Sequence, residues 1–230
     1  MTIEPIGKDI ALLRLLQLVS PALPVGAYAY SQGLEYAVTQ GWVKDETSTA
    51  DWLQGLLHHP LCYLDVPVFA RLYRAWVVSD LDEINLWNAW LYASREAKEL
   101  QLEDRHLGTA MARLLADLGL AEAESWRSAP RVCFATLFSL AAARWGIALP
   151  TAIQGYLWSW AENQVAAATR LIPLGQTASQ RILTRLLPEI VISSQQGLNV
   201  LDDDDIGCAA PALGLASALH ETQYSRLFRS

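Results

Sequence analysis

Residues 131–171 read RVCFATLFSLAAARWGIALPTAIQGYLWSWAENQVAAATRL, and only Arg131, Arg144, Glu162 and Arg170 in that run are charged. Gly146 and Pro150 punctuate it. Glycine readily takes the left-handed geometry that stops a helix, and proline suits the first helical position, where its missing N–H costs nothing. The stretch therefore predicts two consecutive helices, a nearly uncharged one over Arg131–Trp145 and a second over Pro150–Leu171. No alternation of apolar and polar residues over a strand's length interrupts them.

The same helical period extends in both directions. Upstream, Ile10, Leu12, Leu13, Leu15, Leu16 and Val19 populate one broad face of a first helix that ends at Ser20-Pro21. A rigid apolar loop, Ser20–Ala27, leads to a second helix over about Tyr30–Gln40, closed by Gly41. Thr47 or Ser48 is expected to cap a third helix running to Pro60. A fourth reaches Val78, with Pro67 near its first turn. Asp80 and Glu83 have capping-box spacing, and a long helical pattern follows to Leu118, bent near Ser94–Lys98 and stopped at Gly119. Downstream, Pro173 restarts the chain for a helix to Leu187, and a last helix is expected over Pro211–Phe228. Ile190–Ile192 is the best attempt at a strand, and it is too short. The reading is all-α: a single-domain bundle of about ten helices over residues 1–230.

Composition narrows the function. The chain is 52% hydrophobic and 18% charged, which excludes disorder and leaves few charges to cover a surface. Seventeen basic and 24 acidic residues give a net charge of −7 without any Lys/Arg run, so nucleic acid and anionic membrane are poor partners. The charge-free stretch Leu15–Leu34 is broken by Pro21, Pro24, Gly26 and Gly33 and does not read as a membrane helix. The N-terminus lacks the pattern of a secretory signal. Three separated cysteines, Cys62, Cys133 and Cys208, make no disulfide framework and fit a reducing cytoplasm.

Motifs for chemistry are missing. There is no nucleotide-binding GxxxxGK[ST] loop, no HExxH or CxxC, and no GxSxG. His58 and Cys62 have i,i+4 spacing, but Pro60 between them spoils the turn. Neither a metal nor another cofactor is expected. Asp202–Asp205 lacks the alternation of a calcium loop and reads as a solvated turn.

Three segments combine polarity with unusual placement. Ser20–Glu35, SPALPVGAYAYSQGLE, gathers Tyr28, Tyr30, Ser31 and Gln32 at a helix start. Ser94–Arg105, SREAKELQLEDR, places Arg95, Glu99 and Glu103 four apart, with His106 extending the stripe. On spacing alone this reads as a solvated face in which Arg95 attracts Glu99. A carboxylate pair for acid–base work would need a pocket and a nucleophile that the sequence does not offer. The third segment, His220–Ser230, HETQYSRLFRS, puts Tyr224, Leu227 and Phe228 at i, i+3 and i+4 of the expected last helix, interleaved with Arg226 and Arg229. Aromatic and arginine anchors at that spacing suit a helix-in-groove contact with a partner.

These three blocks, together with GYLWSWAENQV and PLGQTASQRIL, resemble the UreF family of urease accessory proteins, in the family's order and over essentially all of Leu12–Ser230. Ala27-Tyr28 stands where many members read Gly-Phe, which keeps the aromatic. The resemblance implies an all-helical, usually dimeric cytoplasmic protein without catalytic activity. Its partners would be a UreD/UreH-type accessory protein, the GTPase UreG and apo-urease, in a complex that delivers nickel. It further implies partner contacts at Tyr28, His220, Gln223, Tyr224, Arg226, Leu227 and Phe228. Residues 1–9 and 220–230 are the segments expected to order with a partner. Arg95, Glu99 and Glu103 are expected to face the GTPase or to be structural. An alternative is that the chain regulates the GTPase directly, with Arg226 or Arg95 as an arginine finger.

Overall fold

The computed structural model describes residues 4–230, with side chains from residue 9 onward. Ten α-helices make up the described chain: α1 (Glu4–Leu18), α2 (Leu34–Thr39), α3 (Glu46–Leu56), α4 (Val66–Val78), α5 (Leu81–Ala93), α6 (Lys98–Asp117), α7 (Phe134–Arg144), α8 (Leu149–Leu171), α9 (Gln176–Leu198) and α10 (Pro211–His220). Among the described residues there is no strand, and no helix is long and apolar enough to cross a membrane. The all-α single domain expected from the sequence is what forms.

The low-charge stretch is the centre of the molecule. On α7, Leu137, Phe138, Leu140, Ala141 and Ala142 are fully buried, and α4 and α6 pack against them. Phe69, Phe134, Phe138 and Tyr156 form an aromatic cluster with ring centroids 5.3–6.2 Å apart. Aromatic pairs at such distances add about 0.5–1.5 kcal/mol each beyond their burial. Helix α7 starts at Phe134, later than expected, because tertiary side chains serve its first amides. Cys133 N donates to Asn88 Oδ1 (2.9 Å) and Phe134 N to Asp104 Oδ1 (2.8 Å).

Several boundaries differ from expectation for identifiable reasons. The cap of α3 is Asp45, which accepts from Ser48 N while Asp45 N donates to Ser48 Oγ. This reciprocal box satisfies two orphan donors where a Thr47 or Ser48 cap would satisfy one. Pro60 does not end a helix. A π-helical segment, Leu57–Asp65, carries the chain through it into α4, the wider turn making room for the ring. Helix α9 likewise continues through Pro188 to Leu198. Pro188 lies on the exposed side, while Leu186, Ile190, Ser193, Ser194 and Gly197 keep one buried face, so packing overrides the local break. Gly197 has no side chain because a Cβ there would strike the Cys62 carbonyl and Val66.

The second helix, expected over about Tyr30–Gln40, begins only at Leu34 as the short α2; a 3-10 turn, Ala27–Ala29, precedes it, with Gln32 and Gly33 between them at φ 53° and 74°. A Cβ on Gly33 would stand 2.9 Å from Ser217 N, so glycine lets α10 approach. The first helix docks on α8 through Leu15, Leu18 and Val19 near Gly155, leaving Ile10, Leu12, Leu13 and Leu16 exposed rather than on one buried face. The expected segment 1–9 falls in part outside the described residues.

The largest correction is at the end of the chain. Helix α10 stops at His220, and residues 221–230 are not helical. Tyr224, Leu227 and Phe228 therefore do not share a helix face. The cause is a set of tertiary hydrogen bonds stronger than the local helical alternative.

Candidate functional site

Those hydrogen bonds centre on three buried carboxylates. Glu35, on α2, accepts from the backbone N–H groups of Leu227 (2.7 Å) and Phe228 (2.9 Å), a charge-assisted pair that turns the chain out of helix. Glu99, in the first turn of α6, faces His220 Nδ1 at 2.7 Å and accepts from Arg226 Nη1 at 2.7 Å. His220 Nε2 faces Glu35 at 3.2 Å, and the ring is wholly buried. Glu103, one turn further along α6, accepts from Ser230 Oγ (2.8 Å) and Gln32 Nε2 (2.8 Å). Backbone bonds complete the seat: Arg229 N donates to the Ala29 carbonyl and Ser31 N to the Ser230 carbonyl, both 2.9 Å.

Packing adds to these bonds. The Phe228 ring, 4% exposed, joins a small core with Leu34, Ala37, Val43, Ala167, Ala168 and Ile172. The Arg170 guanidinium lies 4.5 Å from that ring's centroid and donates to the Tyr28 carbonyl at 3.0 Å. The chain end, the SPALPVGAYAYSQGLE segment and α6 are thus locked into one unit. Gln32 is held in its left-handed conformation because Trp160 Nε1 donates to its Oε1 (2.8 Å) while its Nε2 serves Glu103. Such a backbone persists only where surroundings over-determine it. Burial pushes the Glu103 carboxyl up to about 7, against the opposing effect of its two donors. Gln32 and Glu103 also border a cavity of about 340 Å³, walled by Leu23, Val25, Leu56 and Leu107 and floored by Asp65, Arg95 and Asp104.

The sequence-derived site residues divide sharply. Glu99, Glu103, His220, Arg226 and Phe228 are brought together in the clasp. Tyr28, 74% exposed, and Tyr224, 106% exposed, face solvent, as does Leu227 at 53%. Gln223 is half-buried and donates to the Ser225 carbonyl. The solvated stripe expected for Arg95, Glu99 and Glu103 is corrected: both glutamates are buried, and Arg95 does not pair with Glu99. Arg95 lies in the break before α6, donating from Nε to Asp104 (2.8 Å) and from Nη1 and Nη2 to Asp65 (3.1 and 2.7 Å). Tyr156 also donates to Asp65, and burial pushes its phenol up. An arginine with three such bonds is a structural keystone, and as a finger it would have to leave two buried carboxylates behind. His106 accepts from or donates to the Tyr30 hydroxyl at 2.7 Å.

The sequence reading missed Glu35, Asp65, Asp104 and Ser230. A signal existed for one of them. Leu100, Glu103, Asp104, Leu107 and Met111 fall on a single helical stripe, which placed two acids among core positions. Nothing local marks Asp65, inside the π-helical segment, or Glu35 as a partner for the chain end. Among the described residues, no group of three His, Cys, Asp or Glu is placed to hold a metal ion.

The UreF family model matches residues 43–187. A urease accessory protein UreF of Alkalilimnicola ehrlichii is 54% identical over 224 residues, covering 97% of this chain and 98% of its own. Those of Hahella chejuensis and Teredinibacter turnerae are 49% and 50% identical, covering 96% and 95% of this chain and 99% and 98% of theirs. Identity at that level over nearly the whole length of both chains means that this chain belongs to the UreF family of urease accessory proteins.

Proposed function

We propose that this chain is a non-catalytic assembly factor that joins a UreD/UreH-type accessory protein to the GTPase UreG, so that the complex promotes GTP-dependent nickel insertion into apo-urease. In this reading it works in the cytoplasm, as a homodimer, on a partner set of UreD/UreH, UreG and apo-urease. The observation that carries the reading is the division of the chain end. His220, Phe228 and Ser230 anchor it inward, while Tyr224 and Leu227 are exposed, as is Tyr28. A large ring with no contact in its own molecule contributes nothing to folding, and aromatic anchors are where interface energy concentrates.

Direct regulation of the GTPase is the second reading. Arg95 is a poor candidate for that role because its guanidinium is occupied, and Arg226 would have to leave Glu99.

The test is co-purification with the cognate UreD/UreH-type protein, with mass by light scattering, using the native chain, Tyr224→Ala and Leu227→Ser. Loss of either side chain should weaken the complex by about 2 kcal/mol, roughly thirtyfold, if it is an interface anchor. Both positions are exposed, so the variants should fold normally. Unchanged affinity for both removes the chain end from the interface, and no complex with the native chain refutes the assembly reading.

A further inference from the structure

Two of the three cysteines, far apart in sequence, are drawn to one edge of the fold. Cys62 lies fully buried in the π-helical segment Leu57–Asp65, and Cys208 lies half-buried in residues 199–210, the stretch that crosses from α9 to α10. One backbone hydrogen bond joins the two segments: Gly207 N donates to the Tyr63 carbonyl at 2.9 Å. Cys208 follows the donor residue and Cys62 precedes the acceptor residue, so the pair flanks that bond. Gly207 takes φ 138°, where a side chain would be strained, and this sets the course of the chain into Cys208. Arg71 pins the same crossing, donating from Nε to Asp203 at 2.6 Å and from Nη2 to the Leu201 carbonyl at 3.0 Å.

The two thiols sense each other across this junction. The Cys62 thiol donates to Gln196 Oε1 at 3.8 Å, on the last turn of α9 just before the crossing begins. Burial, and after it the Cys208 charge, push the Cys62 thiol up to about 11. Cys133 is held elsewhere, its thiol donating to the Asn88 carbonyl at 3.6 Å in the core.

We propose that Cys62 and Cys208 are a modification site, at which a hydroperoxide oxidises the pair to a reversible disulfide that fastens residues 199–210 to the π-helical segment. A disulfide needs Cα atoms about 4.4–6.8 Å apart, within reach of residues that flank one backbone hydrogen bond. Cys208 belongs to no helix that would resist the adjustment.

The half-buried Cys208 meets the oxidant first, since burial keeps Cys62 protonated and shielded. The Cys208 thiolate attacks one peroxide oxygen; an S–O bond forms, the O–O bond breaks, and the departing oxygen takes a proton and leaves as water. The Cys62 sulfur then attacks the Cys208 sulfur, forming the S–S bond and expelling hydroxide, which takes the Cys62 proton and leaves as a second water. Two thiols have lost two electrons and one hydrogen peroxide has gained them. Proximity offsets the scarcity of Cys62 thiolate in this second step. The exposed acids Asp202–Asp205 precede Cys208 on the same crossing and repel anionic oxidants, so an uncharged hydroperoxide is the fitting co-reactant.

The test treats the reduced native chain with hydrogen peroxide, then unfolds it, blocks free thiols with N-ethylmaleimide and weighs it without reductant. The chain should carry one maleimide, on Cys133, in place of three, and a digest should contain the Cys62 and Cys208 peptides joined. Dithiothreitol should restore all three thiols. Amide exchange over residues 206–210 should slow in the oxidised chain and recover on reduction. Cys208→Ser should leave Cys62 free after peroxide, and Cys62→Ser should leave a Cys208 sulfenic acid that dimedone traps. Three free thiols after treatment overturn the proposal. So does a bridge between two chains, a bridge that includes Cys133, or a Cys208 oxidised by itself in the native chain while Cys62 still takes maleimide.

Discussion

Replacing Arg95 with methionine should cost the fold about 3–5 kcal/mol. The guanidinium makes three hydrogen bonds to Asp65 and Asp104, whose side chains are 2% and 7% exposed. Methionine keeps much of the volume and removes the charge. Two neighbouring carboxylates then remain buried without a cation, and breaking a buried ion pair from one side typically costs that amount. Asp104 also holds the first amide of α7 and Asp65 accepts from Tyr156, so neither can turn away to water without releasing another bond. For a chain of this length each kcal/mol lowers the melting temperature by roughly 2–4 °C, so a fall of about 10 °C is expected.

Urea unfolding followed by circular dichroism supplies the measurement, with an unchanged m-value as the sign that the ensembles are comparable. Combining Arg95→Met with Asp65→Asn and Asp104→Asn should restore part of the stability, a coupling that independent sites would not show. A cost below 0.5 kcal/mol, or strict additivity in the combined variant, would refute the keystone role. An arginine serving a partner's nucleotide would leave this chain's own stability unchanged.

Two further outcomes follow from the clasp. Phe228→Ala empties a site in the small core beside α2 and removes the Arg170 contact, which should weaken seating of the segment by about 3 kcal/mol. Exchange at Leu227 and Arg229 should register that loss in full, and an unchanged exchange pattern would count against the seat. For Glu103, the folded carboxyl is raised from 4.5 to about 7, so its stabilising share is complete below pH 4.5 and is lost as pH rises to about 7. Glu103→Gln should therefore flatten the stability profile across that range and raise stability at pH 8 by up to about 3 kcal/mol, read from urea midpoints. A variant as pH-dependent as the native chain would contradict this.

How far the sequence reaches is clear at particular residues. Helix α8 is legible from Pro150 and its apolar run, and Ser94–Lys98 signals a bend where the structure has a full break between α5 and α6, because those signals are local. The prolines misled. Pro60 and Pro188 look like stops, but the chain passes both: a π-helical segment absorbs the Pro60 ring, and at Pro188 the buried face of α9 holds the helix together. The chain end misled more deeply. Spacing of Tyr224, Leu227 and Phe228 suggests a helix, yet two amides in that stretch bond to a glutamate nearly two hundred residues earlier. A contact of that range leaves no periodic trace in one sequence. Spacing singles out Glu99 and Glu103 but reads them as solvated, since a period of four does not say which side of a helix faces the core. The neighbouring leucines Leu100 and Leu107 did say so.

The most direct test of the assembly role is the nickel content of urease purified from cells that lack this chain, compared with cells given it back. The account predicts nickel-poor, inactive urease without the chain, recovery with the native chain, and poor recovery with Tyr224→Ala despite normal folding. Urease that carries its full nickel complement in the chain's absence, at ordinary nickel supply, would contradict it.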